Sequence, residues 1–117
     1  MNVEVDLYSG RPNPCFRLKP AEVAELMRWL ATLPPSSDRA MLRERLGYRG
    51  LRIHAGATDS PVVEMVVSNG LIVVRDRSGA ERLLEDPHRG VERWLVEAGA
   101  ASLDPGVVMV VRQDLVS

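Results

Sequence analysis

Apolar and polar residues alternate from the start of the chain: Val3, Val5 and Leu7 are interleaved with Glu4, Asp6 and Tyr8. Period two predicts a strand with one face inward. Ser9-Gly10-Arg11-Pro12-Asn13-Pro14 breaks the pattern as a loop. Phe16 and Leu18 then alternate with Cys15, Arg17 and Lys19, so a short second strand can return as a hairpin. At Pro20 the period changes. Val23, Leu26, Met27, Leu30 and Leu33 follow at helical spacing, and Pro34-Pro35 stops the helix. Pro20 suits a first helical turn and Glu22 favours its dipole, whereas Lys19 is a poor cap.

Ser36-Ser37-Asp38 predicts the opening of a second, shorter helix, with Met41, Leu42 and Leu46 inward and Gly47 as its C-cap. Leu51, Ile53 and Ala55 alternate with Arg52 and His54 as a strand, and Gly56 to Pro61 reads as a loop. Two β-rich runs, Val62 to Val67 and Leu71 to Val74, flank Asn69-Gly70, a strong hairpin signal because both turn residues tolerate positive φ. Glu81 to Leu84 reads as a short edge segment. Asp86-Pro87 opens a last helix with Val91, Trp94, Leu95 and Ala98 as its buried stripe and Gly99 at its end. Val107 to Val111 is apolar on both faces, which predicts a central strand covered on both sides or by a partner. The expected fold is α+β in a single domain, 1–117. Its sheet is mixed or mostly antiparallel, of about five or six strands, with two main helices on one face. A ferredoxin-like core with an added N-terminal hairpin is one wiring that fits.

Composition adds limits. A chain of 117 residues with 45% hydrophobic and 26% charged residues is ordinary for one globular domain and needs no metal or disulfide to fold. Its one cysteine, Cys15, excludes an internal disulfide and suits a reducing, cytoplasmic setting. No apolar run approaches a membrane span, and the acidic start does not read as a signal peptide. A net charge of −1 gives no general attraction to nucleic acid. The charge is uneven, however. Five arginines stand against Asp38 and Glu44 between residues 38 and 54, and six acids stand against three arginines between residues 81 and 104.

The stiffest polar feature is the Ser9–Pro14 loop. Its prolines fix φ at alternate positions and hold Arg11 and Asn13 extended. Ser9, Arg11 and Asn13 are candidate ligand donors there, suited to an anion or carboxylate. The competing reading is a connecting turn in which Arg11 pairs with a nearby acid and Asn13 bonds its own backbone. Tyr48 and Arg49, bracketed by Gly47 and Gly50, are the second candidates, against the reading of a helix cap followed by strand entry. No catalytic residues, metal site or cofactor site are assigned. Cys15 and the two histidines, His54 and His88, form no recognised nucleophile or metal signature.

Residues 6–14, Asp-Leu-Tyr-Ser-Gly-Arg-Pro-Asn-Pro, are followed by an aromatic-containing strand and a Pro-capped amphipathic helix. Together with Leu46-Gly47-Tyr48-Arg49-Gly50 and Arg93-Trp94-Leu95, they resemble a group of small uncharacterised bacterial proteins. That resemblance implies no activity and directs attention to the two loops. The reading that follows is a small non-catalytic binding or accessory module, contacting a small ligand or a protein through the Ser9–Pro14 loop. Two others stand beside it: a small enzyme with a site near the end of the first strand, using Asp6 or Tyr8, Arg11, Cys15 and a histidine, and a structural or immunity-type interaction subunit using the basic 39–54 face. Self-association is a further expectation, from the two-sided apolar run at 107–111.

Overall fold

The computed structural model describes residues 1–8, 12–36, 49–55 and 62–116. The predicted helix after Asp38, the loop at 56–61, and Ser9, Arg11 and Tyr48 lie outside the described residues. Six strands form one antiparallel sheet: β1 (Asn2–Val5), β2 (Cys15–Arg17), β3 (Leu51–His54), β4 (Val62–Ser68), β5 (Leu71–Asp76) and β6 (Glu81–Glu85). Their order is β2-β1-β3-β4-β5-β6. The period-two pattern sets the register. Phe16, Val3, Ile53, Met65 and Val74 lie side by side across five strands, and Val5, Leu51, Val67, Ile72 and Leu84 form a second row. Both rows are buried in one cluster with Leu26 and Leu30 of α1 (Pro20–Leu30), Val91, Leu95 and Val96 of α2 (Gly90–Gly99), and Val107, Val108, Val111 and Leu115 of α3 (Pro105–Val116). These three helices therefore cover the same sheet face. Trp29 and Trp94 meet edge to face, with centroids 6.1 Å apart, where α1 approaches α2.

The run at 107–111 is helical, not a strand. Asp104 decides the start: its Oδ1 accepts the Gly106 N–H at 2.8 Å, and Pro105 needs no amide partner in the first turn. The buried residues fall at 107, 108, 111 and 115, one face of a helix. A run of valines fits either period, so sequence alone could not separate them. With no strand after α2, the second half of a ferredoxin-like core is missing. The wiring is instead a four-strand meander, β3 to β6, extended past β3 by the N-terminal hairpin. The β6 edge is closed by residues 34–36, through Ser36 N–H to the Leu83 carbonyl and Glu85 N–H to the Pro34 carbonyl, both 2.8 Å. At the entry to α1, the Glu22 carboxylate accepts the Lys19 N–H at 2.7 Å, which makes up for the poor cap.

Asp86 does not open α2 directly. A 3-10 turn, Pro87–Arg89, intervenes, with His88 and Arg89 at positive φ. The Asp86 carboxylate reaches across it to accept the Val91 and Glu92 N–H groups at 2.8 and 3.1 Å, so it still caps the helix. Glu92 is fully buried. Its carboxylate takes Arg89 through Nε and Nη2 at 3.0 and 2.9 Å and the Asn69 N–H at 3.2 Å. Arg89 also donates to Asp114 Oδ2 at 3.0 Å and to its carbonyl at 3.1 Å. One guanidinium thus joins the β4–β5 hairpin, α2 and the last turns of α3. Burial opposes the Arg89 charge, but Glu92 and Asp114 outweigh it and hold the group protonated. At α2's other end Gly99 faces Phe16, whose ring atoms would lie 2.4 Å from an added Cβ. Among the described residues no helix is long and apolar enough to cross a membrane.

Arg89→Met is expected to cost about 3–5 kcal/mol in urea unfolding, because it strands the buried Glu92 carboxylate. Adding Glu92→Gln should recover a large part of that loss, and equal destabilisation by the double variant would contradict the pairing. Asp86 supplies a pH prediction. Burial raises its carboxyl pKa above the ordinary value, against the pull of the Val91 and Glu92 amides. The folded protein therefore holds this proton more tightly than the unfolded chain. That contribution is present at low pH and lost as pH rises through the raised value. Urea midpoints should show the wild type losing stability relative to Asp86→Asn as pH rises above the ordinary carboxylate value of about 4.

Candidate functional site

Strand pleating sends the alternate residues of the sheet to the face opposite the helices. The register lines up Cys15, Glu4, Arg52, Val66, Val73 and Leu83 in one row there. A neighbouring row contains Asn2, His54, Glu64, Arg75 and Glu81. Polar groups meet across the strands: His54 Nε2 lies 3.7 Å from Glu4 Oε1, and Arg75 bonds the Glu64 carboxylate.

At the end of β1 this polar face becomes concave. Asp6 is fixed by both backbone groups, its N–H to the Gly50 carbonyl at 2.9 Å and its carbonyl to the Arg49 N–H at 2.7 Å. Its Oδ1 accepts Arg49 Nε and Nη2 at 3.2 and 2.9 Å. Arg49 Nη2 also donates to the Tyr8 carbonyl at 3.0 Å, and Ser68 Oγ donates to the Arg49 carbonyl at 3.0 Å. The close packing behind this corner requires Gly50. Its φ is +112°, and an added Cβ would stand 2.5 Å from the Val67 carbonyl oxygen.

Asn13 braces the other rim. Its Oδ1 accepts the Leu7 and Tyr8 N–H groups at 3.0 and 2.7 Å, and its Nδ2 donates to Glu4 Oε2 at 2.7 Å. The amide therefore ties the strand that leaves β1 to the strand that enters β2. Between these rims lies a cavity of about 550 Å³, lined by Glu4, Asp6, Tyr8, Asn13, Arg49 and Arg52 among others.

Of the five residues singled out from sequence, Asn13 and Arg49 are described, and both line this cavity. Each also makes internal bonds, so the cation best placed for a ligand is a different one. Arg52 is 46% exposed, against 26% for Arg49. Its contacts among the described residues are long: Nε is 3.5 Å from Asp6 Oδ2, and Nη1 is 4.0 Å from Glu64 Oε1. Arg52 was legible only as one of a basic run. The alternation of Leu51 and Ile53 with Arg52 and His54 places it on the polar face, but its meeting with Glu4 and Asp6 needs the register. Cys15 is exposed, and its thiol donates to the Asn13 carbonyl at 3.4 Å. Among the described residues no histidine or carboxylate bonds that thiol, and no group of three acidic, histidine or cysteine residues is placed to hold a metal ion.

No protein-family model matches the chain, and neither the curated proteins nor the solved structures contain a match. The site therefore stands on its own chemistry.

Removing the Asn13 brace leaves two backbone donors unbonded. Asn13→Ala is expected to destabilise by about 1–3 kcal/mol in urea unfolding. Hydrogen exchange should accelerate at the Leu7 and Tyr8 amides. Unchanged exchange there would contradict the brace.

Proposed function

We propose that this chain is a non-catalytic binding module that receives a small anionic ligand, a carboxylate or phosphate, in the cavity on the polar sheet face. The observation that carries the reading is the state of the two arginines. Arg49 is held by Asp6 and the Tyr8 carbonyl. Arg52 stands half exposed beside it with only long contacts to its acids. A guanidinium presents a planar fork of donors suited to two acceptor oxygens at once. Arg52 projects from a strand in the interior of the sheet, so the fork is aimed before a ligand arrives, which lowers the entropic cost of binding. Asp6 and Glu64 set the selectivity. A ligand must bring enough negative charge to displace their weak hold on Arg52, and a neutral ligand gains little.

The reading places the Asn13 loop as the wall of the site rather than its contact surface. It also explains why the polar residues near β1 need not perform chemistry: the exposed thiol has no base bonded to it among the described residues, and Glu4 is engaged by Asn13 and His54. A free, exposed thiol suits a reducing compartment, which supports a cytoplasmic setting.

Calorimetric titration with inorganic phosphate and with succinate tests this. Wild type should bind at least one with a dissociation constant on the order of 1 mM or tighter, weakening as salt rises. Arg52→Ala should bind about tenfold or more weakly with an unchanged circular dichroism spectrum. Equal binding by Arg52→Ala, or no binding of either anion by the wild type, would overturn the proposal.

A further inference from the structure

Among the described residues the large hydrophobics left exposed are Met109, Val110 and Val116, at 61, 45 and 77%. All three lie on α3. The helix buries Val107, Val108, Val111 and Leu115, so its outward face reads Gly106, Met109, Val110, Gln113 and Val116. That stripe is about 15 Å long and carries no charge. Through Val110 it runs into a groove of about 630 Å³ between α3 and Leu7, Tyr8 and Pro14. Scattered exposed apolar residues need no explanation, but an aligned set on one helix marks a contact surface.

We propose that this face of α3 docks against α3 of a second copy of the chain, antiparallel, across a two-fold axis that passes by Gln113. Charge and hydrogen-bonding complementarity select a second copy. With Gln113 at the axis, Met109 and Val110 of each copy face Val116 of the other, apolar against apolar. A glutamine amide both donates and accepts, so two of them related by the axis satisfy each other. The rim beside the axis holds one acid and one base together: Arg112 Nε donates to Glu97 Oε2 at 3.0 Å, with both side chains more than half exposed. The two-fold sets Glu97 of one copy near Arg112 of the other, and the reverse. A strongly acidic or basic partner would find no net charge to match on this rim. Antiparallel α3 helices also oppose their dipoles favourably. An isologous contact of this kind closes on itself and stops at the dimer.

Sedimentation velocity on the full chain tests the proposal. Wild type should show a monomer–dimer equilibrium that shifts with concentration. Met109→Glu and Val116→Glu change exposed positions, so they should fold normally by circular dichroism and run as monomers. A second reading uses Gln113→Cys in a Cys15→Ser background. Mild oxidation should give a disulfide-linked dimer, and adding Met109→Glu should suppress it. A wild type that stays monomeric up to about 1 mM, a dimer that survives Met109→Glu, or no cross-link at position 113 would overturn the proposal.

Discussion

Asp6 commits every polar group it has to residues 49–52, the segment that enters β3. Its backbone pairs with Arg49 and Gly50, and its carboxylate holds Arg49 closely and Arg52 at arm's length. The polar face of the sheet is organised by that asymmetry. One arginine becomes a strut between Asp6 and the Tyr8 carbonyl, and the other is aimed and only lightly held. Arg49 and Asp6 are 26 and 15% exposed, which is dry enough for a close ion pair to outlast salt screening better than a surface pair would. Asn13 completes the rim by holding the chain that leaves β1. With two arginines on one short stretch and one aspartate between them, the geometry decides which is structural.

The helix-covered face of the sheet uses buried charge for a different purpose. Glu92 has no exposure, and its carboxylate is met there by Arg89 and the Asn69 amide. Arg89 extends the same contact to Asp114, while Arg93 donates to the Leu115 carbonyl. These bonds pin α3 along one side and leave Met109, Val110 and Val116 facing away. The fold therefore presents three surfaces: an apolar sheet face in the core, a charged sheet face at the cavity, and an uncharged helix face left exposed.

Local periodicity made most of the elements legible. The alternation at Val3 and Val5, the helical spacing from Val23 to Leu30, and Asn69-Gly70 each point to one conformation. The valines at 107–111 do not, and the decision falls to Asp104, Pro105 and the packing of Leu115. Glu92 was illegible for another reason: it sits one residue from Val91 on a helix whose apolar stripe was read through Trp94 and Ala98. The approach of Asn69 and Arg89, distant or off the stripe in sequence, helps make a carboxylate acceptable there. The candidate site divides in the same way. Proline restriction marked the loop of Asn13, and the glycines marked Arg49. Arg52 emerges only when antiparallel pairing sets it opposite Glu4, a long-range fact that no short motif carries.

The unequal roles of the two arginines can be read directly by NMR of their side-chain Nε–H groups. If Asp6 holds Arg49 as a strut, the Arg49 Nε–H exchanges slowly with solvent and stays in place through a phosphate titration, while the Arg52 Nε–H exchanges fast and shifts first. An Arg49 signal that exchanges as fast as that of Arg52, or that responds to phosphate before it, would contradict the account.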